Sequence, residues 1–355
     1  MRVWIASAAL IGSLLALAPG IFGKPSRPEG WRQISPVFPH VNSVTLAQDG
    51  SDVIFAAASD PATSQSGVFR SADGGTTWTL LSSDLSGDTV GTILIDPRDP
   101  SRLFAATVRE TGADGSATRV YRSTDAGVSW QFQRDFPSAC GGTFAFNPKT
   151  TASVYLALEC SGGFYASEDG GTTWQLRDER TLRRLQSAPG GQLYSIDAGD
   201  GTILRSADGG RSWSHVSPPP CSLGPSFFVI NALAVDQLGR LYAATGQVRM
   251  IFIDCPGLFR SVDGGHSWQE LTTLSFGAIA FDQSDPSTID AALLFFQSGA
   301  VETSKDDGDS WQLLDVLPAP AFDLELSPSG RSLYAVTELG LYRRSIRETR
   351  VVAPR

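Results

Sequence analysis

One eight-residue pattern, Ser-x-Asp-x-Gly-x-x-Trp, recurs six times in this chain and restricts its architecture more than any other feature. The copies are Ser71-Asp73-Gly75-Trp78, Ser123-Asp125-Gly127-Trp130, Ser167-Asp169-Gly171-Trp174, Ser206-Asp208-Gly210-Trp213, Ser261-Asp263-Gly265-Trp268 and Ser304-Asp306-Gly308-Trp311. Successive tryptophans stand 52, 44, 39, 55 and 43 residues apart, the period of a four-stranded antiparallel unit repeated along the chain. Such a unit cannot bury its apolar face alone, so the units must stack on one another.

Each copy sits in the same local grammar. Before it runs a short strand such as Gly67-Val68-Phe69-Arg70 or Gly257-Leu258-Phe259-Arg260. Upstream lie a second strand, as in Leu103-Phe104-Ala105-Ala106, and a first apolar strand closed by a turn signal, as in Ile93-Leu94-Ile95-Asp96-Pro97. A fourth strand follows the tryptophan. With the strands lettered a to d from the innermost outwards, the pattern is the c–d turn. Its Asp accepts bonds from turn N–H groups, its Gly permits a positive φ, and its Trp packs between neighbouring sheets. A catalytic set is not needed six times, so the pattern reads as turn architecture.

A seventh unit is divided between the chain ends. Phe322 to Leu326, Ser332 to Val336 and Leu339 to Arg343 supply strands a, b and c, and Gly30-Trp31-Arg32-Gln33-Ile34 supplies the missing fourth. The expected fold is an all-β, seven-bladed β-propeller of four-stranded antiparallel blades, with the N-terminal strand completing the last blade. Closure of this kind removes exposed sheet edges.

The first residues read as a secretory signal peptide: a basic start at Arg2, an apolar run from Val3, and Ala16-Leu17-Ala18 as a small-residue site. An uncleaved N-terminal anchor is the competing reading of the same run. The expected organisation is a signal peptide over 1–23, a linker over 24–30, the propeller over 31–346 and a tail over 347–355, in a secreted or periplasmic protein. No later stretch is apolar and long enough to span a bilayer. A net charge of −9 without lysine- or arginine-rich runs argues against nucleic acid as a partner.

Four cysteines fall in two equivalent places. Cys140 precedes strand a of the third unit and Cys160 follows its strand b, and Cys221 and Cys255 stand likewise in the fifth. Disulfides Cys140–Cys160 and Cys221–Cys255 are expected, which accords with an oxidising compartment. No Cys-x-x-Cys occurs, and His40, His215 and His266 are scattered, so no zinc site and no other cofactor is expected.

These boxes resemble the Asp-box (BNR) repeats of sialidases, the sortilin-type ectodomain, xyloglucanase-type glycoside hydrolases and photosystem II assembly factors of the Ycf48/HCF136 type. The run Asp96-Pro97-Arg98-Asp99-Pro100-Ser101-Arg102-Leu103-Phe104-Ala105, followed by Val120-Tyr121-Arg122-Ser123, is most similar to the last two groups. The resemblance covers nearly the whole chain after the leader and implies a fold rather than an activity. The Arg-Ile-Pro element of sialidases is missing here. Xyloglucanase-type enzymes hold two catalytic aspartates across a cleft between two propellers, whereas one ring is expected here. Glycoside hydrolysis needs two carboxyl groups about 5–9.5 Å apart. No Gly-x-Ser-x-Gly elbow or phosphate-cradling loop is present.

The face carrying the cysteines also carries the longest loops, Ser214 to Phe228 and Gly246 to Pro256, with Phe227, Phe228, Arg249, Met250, Ile251 and Phe252. Beside them the fourth unit brings Arg177, Arg180, Arg183 and Arg184. One reading is a protein-partner or glycan surface; the other folds the Phe residues inwards and pairs the arginines with Asp178 and Glu179. Strand a lines the central lumen, where Arg183, Arg184, Asp323 and Glu325 are exceptional charges, read either as ion-paired or solvated lining or as a ligand site. Strict alternation lets at most one of Arg183 and Arg184 face it. The sequence therefore points to an exported, non-catalytic binding or assembly scaffold, and alternatively to a glycoside hydrolase using acidic residues on the loop-rich face.

Overall fold

The computed structural model describes residues 30–35, 40–60, 62–63, 65–81, 85, 88–110, 116–150, 152–160, 162–220, 229–249, 252–294 and 299–346. Strand β1 (Trp31–Gln33) stands apart in sequence from the sheet it joins. Blade I comprises β2 (His40–Leu46), β3 (Ile54–Asp60), β4 (Gln65–Ser71) and β5 (Thr79–Leu80). Blade II is β6 (Thr89–Asp96), β7 (Asp99–Glu110), β8 (Ser116–Ser123) and β9 (Gln131–Pro137). Blade III is β10 (Gly142–Phe146), β11 (Val154–Leu158), β12 (Gly163–Ser167) and β13 (Gln175–Asp178). Blade IV is β14 (Leu182–Ser187), β15 (Leu193–Asp197), β16 (Ile203–Ser206) and β17 (Ser214–His215). Blade V is β18 (Ile230–Val235), β19 (Leu241–Arg249), β20 (Phe252–Ser261) and β21 (Gln269–Thr272). Blade VI is β22 (Phe276–Phe281), β23 (Ile289–Leu293), β24 (Gly299–Ser304) and β25 (Gln312–Leu317), and blade VII is β26 (Ala321–Leu326), β27 (Ser332–Thr337), β28 (Gly340–Ser345) and β1.

The last sheet has the order β1-β28-β27-β26, and Trp31 pairs with Arg344, Arg32 with Arg343 and Gln33 with Tyr342. The N-terminal strand thus completes the last blade and closes the ring. The central residues of the second strands are buried, as Val154 to Leu158 are in β11 and Leu103 to Ala106 in β7, because a neighbouring blade covers each face. This is why they read as unbroken apolar runs rather than alternating ones. Outer strands such as β5 are exposed.

Seven apolar clusters fill the seven blade–blade interfaces, and each holds one tryptophan. Trp78, Trp130, Trp174, Trp213, Trp268, Trp311 and Trp31 each pack on the blade before their own. The box turns hold these rings in place. In blade III, Gly171 N–H donates to Ser167 Oγ at 2.7 Å, Ser167 Oγ–H donates to Asp169 Oδ1 at 2.8 Å, and Thr173 donates to both carboxylate oxygens. Gly171 has φ +89°, and a Cβ there would collide with the Phe104 ring of blade II. The same bonds keep the Asp carboxyl low: the backbone N–H of Thr77, then the hydroxyls of Thr77 and Ser71, hold Asp73 at about 2.

Cys140 and Cys160 form a disulfide across blade III, with Cα atoms 5.7 Å apart. Cys255 is also disulfide-bonded. Cys221 lies outside the described residues. No helix among them is long and apolar enough to cross a membrane.

Candidate functional site

The seven innermost strands, β2, β6, β10, β14, β18, β22 and β26, enclose a lumen of about 840 Å³. Pairing with the second strands aligns them ring by ring. At one level stand Ser43 of blade I, Thr92 of II, Thr143 of III, Ala232 of V, Ala278 of VI and Asp323 of VII, each opposite the equivalent residue of its second strand. In blade IV the equivalent partner, Ile196, pairs with Arg183. One arc of the wall thus carries hydroxyls and another only methyl groups. The two charged poles, in blades IV and VII, lie three blades apart, the widest separation that a ring of seven allows.

A recurrent irregularity shapes the mouth. In blades I, II, V, VI and VII the innermost strand slips register by one residue near its start. The extra residues are Asn42, Gly91, Asn231, Gly277 and Phe322. In blade IV the slip comes deeper, between Arg183 and Gln186, with Arg184 at φ +54°. Ser195 Oγ–H donates to the Arg183 carbonyl there at 2.8 Å. Such a bulge breaks the two-residue alternation. The expectation that at most one of Arg183 and Arg184 faces the lumen therefore fails: both are exposed, and both line it. The same device turns Phe322 outwards although it stands in step with buried Leu324 and Leu326; its exposure is 46%. Val229 and Leu294, exposed at 38% and 37%, line the same mouth. Pattern reading missed these three: Phe322 is turned out by a bulge, and Val229 and Leu294 stand one residue outside the strands Ile230–Val235 and Ile289–Leu293.

Asp323 and Glu325, two residues apart on β26, both reach the lumen. Water touches them along its axis, while protein surrounds them on every side. Burial raises the Asp323 carboxyl above its ordinary range against the pull of the Leu324 N–H and the Arg184 charge. Burial also raises Glu325, and the Asp323 charge adds to it. Arg184 is open to the lumen water yet walled in by the ring, and the loss of bulk solvent lowers it, opposed by Asp323 and Glu159 and reinforced by Arg183. Among the described residues Arg184 forms no hydrogen bond or ion pair. Arg183 makes one long bond, Nη2 to the Ala198 carbonyl at 3.4 Å.

The other arginines go elsewhere. Arg177 belongs to β13, the outer strand of blade III, rather than to the fourth unit. It bonds Glu168 and the Gly209 carbonyl, both in c–d turns on the face opposite the cysteines. Arg180 forks onto Asp178 at 2.7 Å and approaches Asp197 at 3.5 Å. Arg249 and Phe252 are cross-strand partners at the tip of the β19–β20 hairpin, which projects on the cysteine face. Phe227, Phe228, Met250 and Ile251 lie outside the described residues. No group of three or more His, Cys, Asp or Glu among the described residues is arranged to hold a metal ion.

Comparison with known proteins gives related answers. A family model described as Sortilin-Vps10 (sortilin, neurotensin receptor 3) matches residues 66–189. The xyloglucanase Xgh74A of Acetivibrio thermocellus is 26% identical over 250 residues, 58% of this chain and 28% of that protein. The photosystem II assembly lipoprotein Ycf48 of a Synechococcus species is 27% identical over 210 residues, 57% of this chain and 55% of that one. The ring resembles both. The chain spans about a quarter to a half of the length of these curated relatives. Among solved structures, the GH74 xyloglucanase of Xanthomonas campestris superposes with a TM-score of 0.71 at 18% identity, over 91% of this chain and 54% of that one. A structure of YCF48 bound to a D1 peptide superposes with a TM-score of 0.66 at 16% identity, over 90% and 97%.

Proposed function

We propose that the protein is an exported scaffold that binds a segment of another protein at the cysteine-bearing mouth of its lumen. The observation that carries this reading is the exposed arc of Val229, Leu294 and Phe322 on three successive blades, beside the projecting β19–β20 hairpin. Large apolar side chains left open together on a rigid frame suit a partner surface. The solved YCF48 complex, in which a propeller of similar fold and length holds a D1 peptide, supports a protein ligand. The Cys140–Cys160 disulfide supports an oxidising compartment.

The competing reading is hydrolysis of a glycan, and Asp323 with Glu325 is the observation in its favour. Against it, the described residues make one ring, one wall of the cleft that the resemblance to two-propeller xyloglucanases calls for. The test has two arms. Peptides selected by phage display should bind the wild-type protein, and Leu294→Ser combined with Phe322→Ser should weaken them more than tenfold, from the apolar area that a bound segment would cover. Arg177→Ala, on the opposite face, should leave affinity unchanged. Equal binding by the double variant, or no selectable binder, rejects the scaffold reading. Cleavage of xyloglucan oligosaccharides that Glu325→Gln abolishes establishes the rival.

A further inference from the structure

Below the apolar mouth, the lumen has a property that peptide docking does not use. Its charged groups gather at two walls: Arg183 and Arg184 on blade IV, with Glu159 of blade III beside them, and Asp323 with Glu325 beneath it on blade VII. Arg184 and Asp323 sense one another's charge without closing into an ion pair. Several other arginines close onto carboxylates: Arg180 with Asp178, Arg240 with Asp236 and Asp307, Arg344 with Asp315. The lumen arginines face carboxylates and stop short of them. Between the poles one arc is lined by Ala232, Ala278 and Ile279, the other by Ser43, Thr92 and Thr143.

We infer that the lumen is a binding site for a small dipolar molecule, a free amino acid or a free-ended short peptide. Its carboxylate would lie on Arg183 and Arg184, its ammonium on Asp323 and Glu325, and its aliphatic body along the alanine arc. A guanidinium matches a carboxylate in shape and charge, and two carboxylates offer an ammonium several acceptors. A cavity of about 840 Å³ lies within the range of small-molecule sites. A purely anionic ligand would meet Asp323 and Glu325, and a purely cationic one the two arginines. Each pole therefore selects against single charges.

Proton linkage supplies an independent signature. The charged groups facing Asp323 and Glu325 are Arg183, Arg184 and Glu159, and burial keeps the two lumen carboxyls proton-rich. A bound ammonium favours their ionised forms, so binding near neutral pH must release protons.

The experiment is isothermal titration of the full chain with L-leucine, glycyl-leucine and glycylglycyl-leucine, a series of growing charge separation. 4-Methylpentanoate and 3-methylbutylamine serve as single-charge controls. At least one of the three zwitterions should bind saturably, with heats that vary with buffer ionisation enthalpy as proton release requires. Both controls should bind at least tenfold more weakly. Arg184→Asn, which suits the left-handed backbone at this position, and Asp323→Asn should each cost tenfold or more, with far-ultraviolet circular dichroism and melting temperature retained. Failure of all three zwitterions to bind below 10 mM (roughly the weakest affinity worth calling specific) overturns the inference, as does binding without proton release or unchanged in both variants. Because these probes are too small to span the mouth, failure here leaves the peptide-scaffold reading standing. Loss of peptide binding in the mouth variants leaves this one standing.

Discussion

The outer turns and the inner lumen of this ring use carboxylates in opposite ways. In the box of blade I, Asp73 lies in water, takes bonds from the Thr77 N–H and from the Thr77 and Ser71 hydroxyls, and is held at about 2. In the lumen, Asp323 and Glu325 are enclosed by protein and pushed upwards. The first arrangement recurs in six blades and the second occurs in one. Repetition follows the requirement every blade shares, a turn that holds a tryptophan against its neighbour. Deviation from the repeat marks a demand that only one sector of the ring meets.

The comparison breaks most sharply at the wall. Trp174 is 6% exposed between blades II and III, and Trp174→Ala should destabilise by about 3–5 kcal/mol in chemical denaturation. A loss below about 1 kcal/mol would show that the tryptophan does not organise the interface. Next comes the crosslink: Cys140→Ser with Cys160→Ser should lower stability by about 2–4 kcal/mol without changing the far-ultraviolet spectrum. Ser167→Ala removes the acceptor of the Gly171 N–H and one donor to Asp169, and should cost about 1 kcal/mol, with the other five boxes intact.

The smallest effect sharpens the contrast most, because the two regions respond to pH with opposite sign. Asp73 has a folded value below its unfolded one. Its contribution is present above about pH 4 and lost as pH falls towards about 2. Asp323 and Glu325 have folded values above their unfolded ones. The folded state then holds the extra protons, and stability declines as pH rises from about 4 through the raised values. Asp323→Asn with Glu325→Gln should flatten that decline, while Asp73→Asn should flatten only the acid limb. Identical pH profiles for the two variants would show that the lumen pair carries no raised carboxyl.

Blade number, ring closure and the box turns were legible in the residues, because Trp, Asp and Gly recur at fixed offsets and each has a local reason to be there. The lumen was legible only in part. Arg183, Arg184, Asp323 and Glu325 stood out as charges in a strand that is otherwise apolar or small. Their orientation depended on bulges, which arise from how neighbouring sheets pack and leave no residue signature. Hence Arg183 and Arg184 turn inwards together, and Phe322 is exposed beside two buried leucines. Arg177 stands three residues after Trp174, so the repeat itself assigns it to the outer strand of blade III; only its partners, Glu168 and Gly209, from turns of two different blades, were beyond the sequence.

The pairing of Trp31 with Arg344 has a temporal corollary. Synthesis proceeds from the amino terminus, so the outermost strand of blade VII emerges before the six intervening blades and its receiving edge at Gly340–Ser345 after them. Until then the growing protein is an open crescent, with the flank of blade VI lacking its tryptophan neighbour. Full cooperativity is accordingly a property of the closed ring, and a ribosome-stalled fragment ending before β27 should stay sensitive to protease where the closed ring resists.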